Sequence, residues 1–531
     1  MCRAKQLPIR SGLRKTNTCR AAAKTDRARA FDMIHQNFVS MVQSASPGSG
    51  LRYRGETVTY GEALSRIRSL ANGFRAQGIG TGDGVAVLLP NSPELFVVVH
   101  ALFAIGAIAM PLSTGATRQE CAHAIGKSSA VAIVASSALS ALAQSLEPSL
   151  SGKLSQKVFL TEGVGAGSIG NLGKMPDEPL RAVSGDLPAL YLTSSGTTGS
   201  PKIVVHTQGG LLEDAKRTSR AWQLSPDDVV FNMLPGNFAL GLLLGISNAP
   251  EVGASVVYWH DARPLVLARE ALLATLVAEN VSVIAAVPAM YETLAATAGS
   301  FDLSKIRLSF SGGAALSREV FDNCRDRLGL TIRQAYGLTE AVMVAHNDSP
   351  DLETTWRSVG RPAGNAQVKI DRYDDRLPPG VGELMVKSSS MMKGYLDDEE
   401  ETRACFSDGW LLTGDLARLD GAGNIYIVGR RKLLIEVLGY KIDPIEVEQI
   451  LQEHENIAEA VVIGTGQDDA AGQRLKAVIV PRKGEIAPEE LKNFLRKRLS
   501  NYKVPTLFEF REELPKSSTG KILRGQLTSG K

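Results

Sequence analysis

Cysteine is scarce in this chain: five residues in 531, at Cys2, Cys19, Cys121, Cys324 and Cys405, with no Cys-x-x-Cys pair among them. The scatter gives neither a disulfide framework nor a zinc-site spacing, and it points to a reducing compartment such as the cytoplasm. Aromatic residues make up only 6% of the chain, and none lies in the basic stretch at its start. A stacking platform for nucleic acid is therefore missing, and no nucleic-acid partner is expected. Long apolar runs are nearly absent as well. Only "LFVVVHALFAIGAIAMPL", residues 95–112, approaches the length of a membrane span, and it contains His100 and Gly106. It reads as a buried helix ending near Gly106 followed by a short buried strand, so no stable membrane insertion is expected. The signature GxxxxGK[ST] of P-loop nucleotide enzymes is missing too. In "SGTTGSPK" the second Gly is followed by Ser-Pro-Lys, and in "STGKIL" no Gly stands five residues before Gly520.

With 44% hydrophobic and 22% charged residues, the chain has a globular composition and is too long for one ordinary domain. Its net charge of +3 is unevenly placed. Residues 1–30 carry nine Lys or Arg and a single acid, Asp26, while the remainder carries 50 basic and 55 acidic groups. The Arg-rich, acid-poor tail fits a transit peptide, a nucleic-acid-touching arm or an early start site, and a disordered extension is the reading preferred here.

Beyond about Leu51, strand-like and helix-like patches alternate. "ETVTYGEALSRIRSLANGF" passes from a Thr/Val strand into a helix with Ala63, Ile67, Leu70 and Phe74 on one face, and "GVAVLLP" is a buried strand. "ALLATLVAENVSVIAAVP" is helix then strand; "IRLSFSGGAALSREVFDNC" is strand, Gly-rich turn and helix. This rhythm predicts an α/β body with largely parallel sheets. The texture changes near residue 429. After the basic cluster Arg430-Arg431-Lys432, Asp443-Pro444 opens a helix, and "AEAVVIG", "LKAVIVP" and "PEELKNFLRKRL" complete a compact α+β unit. The expected division is a tail over 1–30, a large domain over 31–429 and a small domain over 430–531, with the boundary at Gly429–Lys432.

One stretch stands apart. "YLTSSGTTGSPK", residues 191–202, sets an unbroken Ser/Thr/Gly run behind a short apolar strand. Such residues cannot pack a core, but they can aim hydroxyls and backbone N–H groups at a phosphate. Gly196 and Gly199 permit close backbone approach, Ser194, Ser195, Thr197 and Thr198 offer hydrogen bonds, and Lys202 adds charge.

This stretch resembles the phosphate-loop motif of the adenylate-forming superfamily, which includes acyl-CoA synthetases, luciferases and peptide-synthetase adenylation domains. Four further motifs follow in the superfamily's order: "SGGAALS" (311–317), "AYGLTE" (335–340), "GWLLTGDLARLDGAGNIYIVGRRK" (409–432) and "PKSSTGKILR" (515–524). Weaker likeness runs from about residue 31 to 527. The resemblance implies a large N-terminal domain of α/β subdomains plus a β-rich subdomain, with a small mobile α+β C-terminal domain.

It also implies roles. Thr193 joins the phosphate loop; Gly312, Gly313 and Ala314 form the adenine-side loop; Ala335, Tyr336 and Gly337 lie along the adenine, with the Tyr336 ring as a stacking face. Thr339 presents a hydroxyl to phosphate and Glu340 a carboxylate to Mg²⁺, a hard ion suited to oxygen. Asp415 accepts from the ribose hydroxyls, with Ile427 and Arg430 nearby. Lys432 is the hinge, although it is followed by Leu433 where the family often has Asp. Lys521 is the catalytic lysine, bridging two anions as the carboxylate attacks the α-phosphate. Gly439 and Tyr440 belong to the segment lining the thiol channel. Implied are ATP, Mg²⁺ and CoA, two half-reactions through an acyl-adenylate, and rotation of the small domain between them.

In the acid-binding block, "FNMLPGNFALGLLLG", the aromatic-His pair of many relatives is missing and Phe238 or a neighbour takes its place. No acidic residue occurs between Asp228 and Glu251, which disfavours an amino acid substrate. The expected substrate is an aromatic or other compact hydrophobic carboxylic acid, with Asn237, Phe238 and Gly312 against it. CoA is the expected acceptor; a carrier protein or amine, luciferase-type oxidation and a non-catalytic relative are the other readings. Homodimerisation is left open.

Overall fold

The computed structural model describes residues 33–163, 167–194, 202–297, 299–374, 377–437, 440–465, 473–484, 486–516 and 522–528. The basic tail and its expected disorder lie outside these residues.

Two large sheets form the body. The first has nine strands, with Val229–Asn232, Val283–Ala286, Leu308–Ser311 and Ile332–Leu338 parallel at its centre and antiparallel strands at both edges. The second has seven, with Gly84–Leu88 in the middle of a parallel set. Its other edge is antiparallel: Pro188–Ser194, Lys202–Thr207 and Gly394–Tyr395 lie side by side. The expected parallel α/β body is present, with antiparallel strands at its edges.

Local sequence explains the helices between the sheets. Tyr60–Ala76 begins at a capping box made by Thr59 and Glu62, and its Ala63, Ile67, Leu70 and Phe74 are all buried. Pro93–Ala104 starts with Pro93 after the Ser92 cap and is buried on every side except at Glu94. It stops at Gly106, whose φ of +73° suits glycine, and strand Ile108–Pro111 follows. The one apolar run long enough to suggest a membrane span is thus core helix and core strand. Among the described residues no helix is long and apolar enough to cross a membrane.

A third, antiparallel sheet comprises Gln367–Asp371, Gly382–Lys387, Trp410–Leu419, Phe406–Ser407 and Ile425–Arg430. It is the β-rich part, and a tight turn at Arg431–Leu433 leads out of it. The last hundred residues have a core of their own, built from Val447, Leu451, Ile457, Ile479, Leu491 and Leu495. Here Pro444–Gln452 and Pro488–Arg496 pack with a sheet of Ile457–Thr465, Arg474–Pro481 and Leu507–Phe510.

Candidate active site

Strand Pro188–Ser194 pairs with Lys202–Thr207 so that Ser194 faces Lys202 across the ladder. Thr193 and Ser194 therefore end one strand as Lys202 begins the next. Ser195, Gly196, Thr197, Thr198 and Gly199 lie outside the described residues. The Lys202 ammonium is ion-paired with Glu401 and sits 4.8 Å from the centre of the Tyr395 ring.

The first sheet supplies the next two motifs at the ends of adjacent strands. Leu308–Ser311 runs into Gly312 and Gly313, with Ala314 just beyond. At Gly313 φ is +81°, and a β-carbon there would lie 3.0 Å from Cζ of Phe238. One at Gly312 would lie 3.3 Å from the carbonyl oxygen of Ala335. The glycines thus let the Phe238 ring and the Ala335–Tyr336 backbone approach the same turn. Asn237, the neighbour of Phe238, lines a cavity of about 190 Å³ together with Asn91, Thr114, Trp259, His260 and Met290. These two adjacent residues of the acid-binding block therefore face different surroundings.

Ile332–Leu338 carries Tyr336, whose hydroxyl donates to Oδ2 of Asp415 at 2.6 Å. Asp415 lies on Trp410–Leu419 directly across the ladder from Arg430, and Nε of Arg430 donates to its other oxygen at 2.6 Å. Only 3% of Asp415 is exposed, so both oxygens are anchored in a nearly dry setting. Burial, then the Asp415 charge, pushes the Tyr336 phenol well above its ordinary value, so it stays a donor. Burial works against the Arg430 charge, but the pairing with Asp415 outweighs it and raises the guanidinium. Ile427 sits on the adjoining strand opposite Ala417. Gly337 is exposed, and Thr339 and Glu340 follow the strand half-buried.

Lys432 is exposed in the turn after Arg430, and its neighbour Arg431 donates to Glu383 at 2.8 Å. Gly439 and Lys521 lie outside the described residues, as does the Tyr440 side chain. Both flanks of Lys521 are anchored. Lys516 pairs with Glu459 at 2.6 Å, and Arg524 with the buried Glu448 at 2.6 Å.

Sequence reasoning missed Glu401, Tyr395 and His206. Tyr395 donates to Oε1 of Glu340 at 2.9 Å, and Nε2 of the buried His206 lies 2.7 Å from the carbonyl oxygen of Thr339. His206 could have been found, since it sits four positions after Lys202 on the strand leaving the phosphate loop. Tyr395 and Glu401 carried no such signal, because only the pairing of Gly394–Tyr395 with Lys202–Thr207 brings them here.

Residues 36–396 match the profile of the AMP-binding enzyme family, and residues 446–521 that of the AMP-binding enzyme C-terminal domain. A feruloyl-CoA synthase of an Amycolatopsis species is 32% identical over 488 residues, covering 90% of this chain and 95% of that relative. 4-Coumarate–CoA ligase 3 of Arabidopsis thaliana is 32% identical over 504 residues, covering 89% and 86%. Among solved structures, o-succinylbenzoate CoA synthetase of Bacillus subtilis with its acyl-adenylate intermediate has a TM-score of 0.80 at 28% identity. That match covers 93% of this chain and 98% of the other.

Proposed function

The chain belongs to the AMP-binding enzyme family, and from that premise we propose that it is an ATP-dependent acid–CoA ligase acting on an aromatic carboxylic acid. The observation carrying this reading is the continuity of two surfaces. The Tyr336–Asp415–Arg430 cluster suits a nucleoside, and through Ala335 and Gly312 it adjoins Gly313 and the Phe238 ring, which suit a flat apolar acid. The relatives named above act, by their names, on acids of that kind.

In this reading Tyr336 lines the adenine and Asp415 keeps lone pairs for the ribose hydroxyls beyond those taken by Tyr336 and Arg430. The run Thr193–Gly199 with Lys202 receives the phosphates, Thr339 hydrogen-bonds one of them, and the acid lies against Phe238 and Gly312, while Asn237 faces the adjoining cavity. Glu340 fits Mg²⁺: its carboxylate is half-buried with one oxygen fixed by Tyr395. An ion of this kind needs few protein ligands, because water and nucleotide phosphates complete its shell. When bound, that ion supplies charge neutralisation at the phosphates. Lys521 delivers an ammonium between carboxylate and α-phosphate, which lets two anions approach and releases pyrophosphate. Thiolate attack on the mixed anhydride then forms the thioester and expels AMP. Lys432, at the end of the Gly429–Lys432 boundary and just past the strand that holds Arg430, is the hinge about which the small domain turns between these steps, withdrawing Lys521 and bringing Gly439 and Tyr440 to the thiol channel.

The test is thioester formation by the full chain with ATP, Mg²⁺ and CoA across hydroxycinnamate-like, benzoate-like, medium-chain and long-chain acids. An aromatic acid should give the highest kcat/KM. Preference for a long-chain acid would refute the substrate class, and pyrophosphate release without thioester would refute CoA as acceptor.

A further inference from the structure

Thr339 and Glu340 rest on one edge of the second sheet. Val204 of Lys202–Thr207 is paired with Tyr395. Side chains alternate along a strand, and directly opposed residues point to the same side. Lys202, His206 and Tyr395 therefore emerge on one face, which is the face toward Thr339 and Glu340. Three hydrogen bonds cross from that edge to the dipeptide. The backbone N–H of Met392 donates to the Glu340 carbonyl at 2.7 Å. The Tyr395 hydroxyl donates to Oε1 of Glu340 at 2.9 Å. Nε2 of His206 meets the Thr339 carbonyl at 2.7 Å.

The histidine is chemically specific. A carbonyl oxygen only accepts, so Nε2 carries the proton, and Nδ1 is left as a buried acceptor without a hydrogen-bond partner among the described residues. Burial lowers the ring to about 4, so it stays a neutral donor at ordinary working pH. A leucine would fill the same space with no unsatisfied nitrogen. What the histidine adds is the bond to Thr339. Tyr395 likewise fixes one Glu340 oxygen and leaves the other for a ligand.

We propose that His206 and Tyr395 are positioning residues for the nucleotide chemistry: His206 fixes the Thr339 backbone so that its hydroxyl faces a phosphate, and Tyr395 orients the Glu340 carboxylate toward Mg²⁺. The inference rests on the nucleotide-binding reading above. It assigns to the second sheet the task of aligning catalytic groups that belong to the first.

The experiment measures ATP binding by calorimetry over a range of Mg²⁺ concentrations, and pyrophosphate release, for the full chain and three variants. Tyr395→Phe should raise the Mg²⁺ needed for half-maximal enhancement of ATP binding about tenfold, with metal-free ATP binding unchanged. His206→Leu should lower kcat about tenfold without changing KM for the acid. His206→Gln, whose amide nitrogen reaches the Nε2 position, should recover most of that loss. Wild-type metal dependence in Tyr395→Phe would overturn the inference for Tyr395. Full kcat in His206→Leu, or equal losses in the Leu and Gln variants that track a fall in thermal midpoint, would overturn it for His206. Wild-type chain that binds Mg²⁺ and ATP but turns over no acid would sink the ligase reading, and the metal dependence of ATP binding would still decide the inference for Tyr395.

Discussion

Tyr336 and Arg430 take the two oxygens of Asp415 from opposite sides, each at 2.6 Å, although the tyrosine comes from the first sheet and the arginine from the third. The carboxylate is the junction of the two sheets. Asp415→Asn removes the charge and one strong acceptor, a loss worth about 1.5–3 kcal/mol for hydrogen bonds to a charged group. KM for ATP should rise roughly 10- to 100-fold, while KM for the acid changes little. Unchanged ATP affinity in the variant would contradict the ribose role.

Gly313 lets the Phe238 ring pack closely against the adenine-side turn. Gly313→Ala places a methyl group 3.0 Å from that ring at a φ of +81°. The substitution should raise KM several-fold for aromatic acids, on the order of 1 kcal/mol or more, and least for small acids. Steady-state kinetics over acids of graded width checks this; a uniform loss across widths would place the effect in the backbone rather than the acid pocket.

Lys202 is paired with Glu401, and an incoming phosphate must compete for the ammonium. The pair is partly exposed, so it is worth about 1 kcal/mol at most. Glu401→Gln should therefore lower KM for ATP by roughly up to fivefold. An increase would mean that Glu401 supports the nucleotide site instead of opposing it.

Arg524 neutralises Glu448, which is 7% exposed and also accepts from the Val462 amide at 2.6 Å. Arg524→Ala strands a buried carboxylate and should destabilise the C-terminal unit by about 3–5 kcal/mol, with activity falling because Lys521 stands three residues away. Thermal unfolding of the variant against wild type reads the first effect. An unchanged midpoint would show that the pair is dispensable.

Asp443 caps helix Pro444–Gln452 from a site where burial, reinforced by Glu448 and Glu446, raises its carboxyl to about 7; the Ile445 amide and Arg524 oppose the rise. The unfolded chain loses this proton near pH 4, and the native state keeps it to about pH 7. Stability from this group therefore falls as pH rises through that window and levels off above it. Asn keeps the cap and does not titrate. Asp443→Asn should match wild type near pH 4 and exceed it by on the order of 2–4 kcal/mol at pH 8. A constant difference across that range would contradict the buried, protonated state.

Much of this was legible because local chemistry and fold agreed. Gly106 announces a helix end, and the spacing from Ala63 to Phe74 a buried face. The motifs were legible through their resemblance to a known family, and Asp415 and Arg430, which the resemblance places together, prove to be opposed on one hairpin within sixteen residues. Tyr395 with Glu340, and Glu401 with Lys202, were not. Those contacts span 55 and 199 positions and exist only because the short strand Gly394–Tyr395 returns to the edge of a sheet begun three hundred residues earlier. A two-residue strand has too little pattern to be read from sequence. The differing surroundings of Asn237 and Phe238 were equally hidden, since they depend on which neighbours the turn meets.

The central claim is that a carboxylate attacks ATP with Lys521 as the bridging cation. The most direct measurement is exchange of labelled pyrophosphate into ATP, without CoA, for wild type and Lys521→Ala across the aromatic acids. The account predicts acid-dependent exchange in wild type and a loss of about 100- to 1,000-fold in the variant, with ATP binding retained. Equal exchange in both proteins, or none in wild type with any carboxylate, would contradict it.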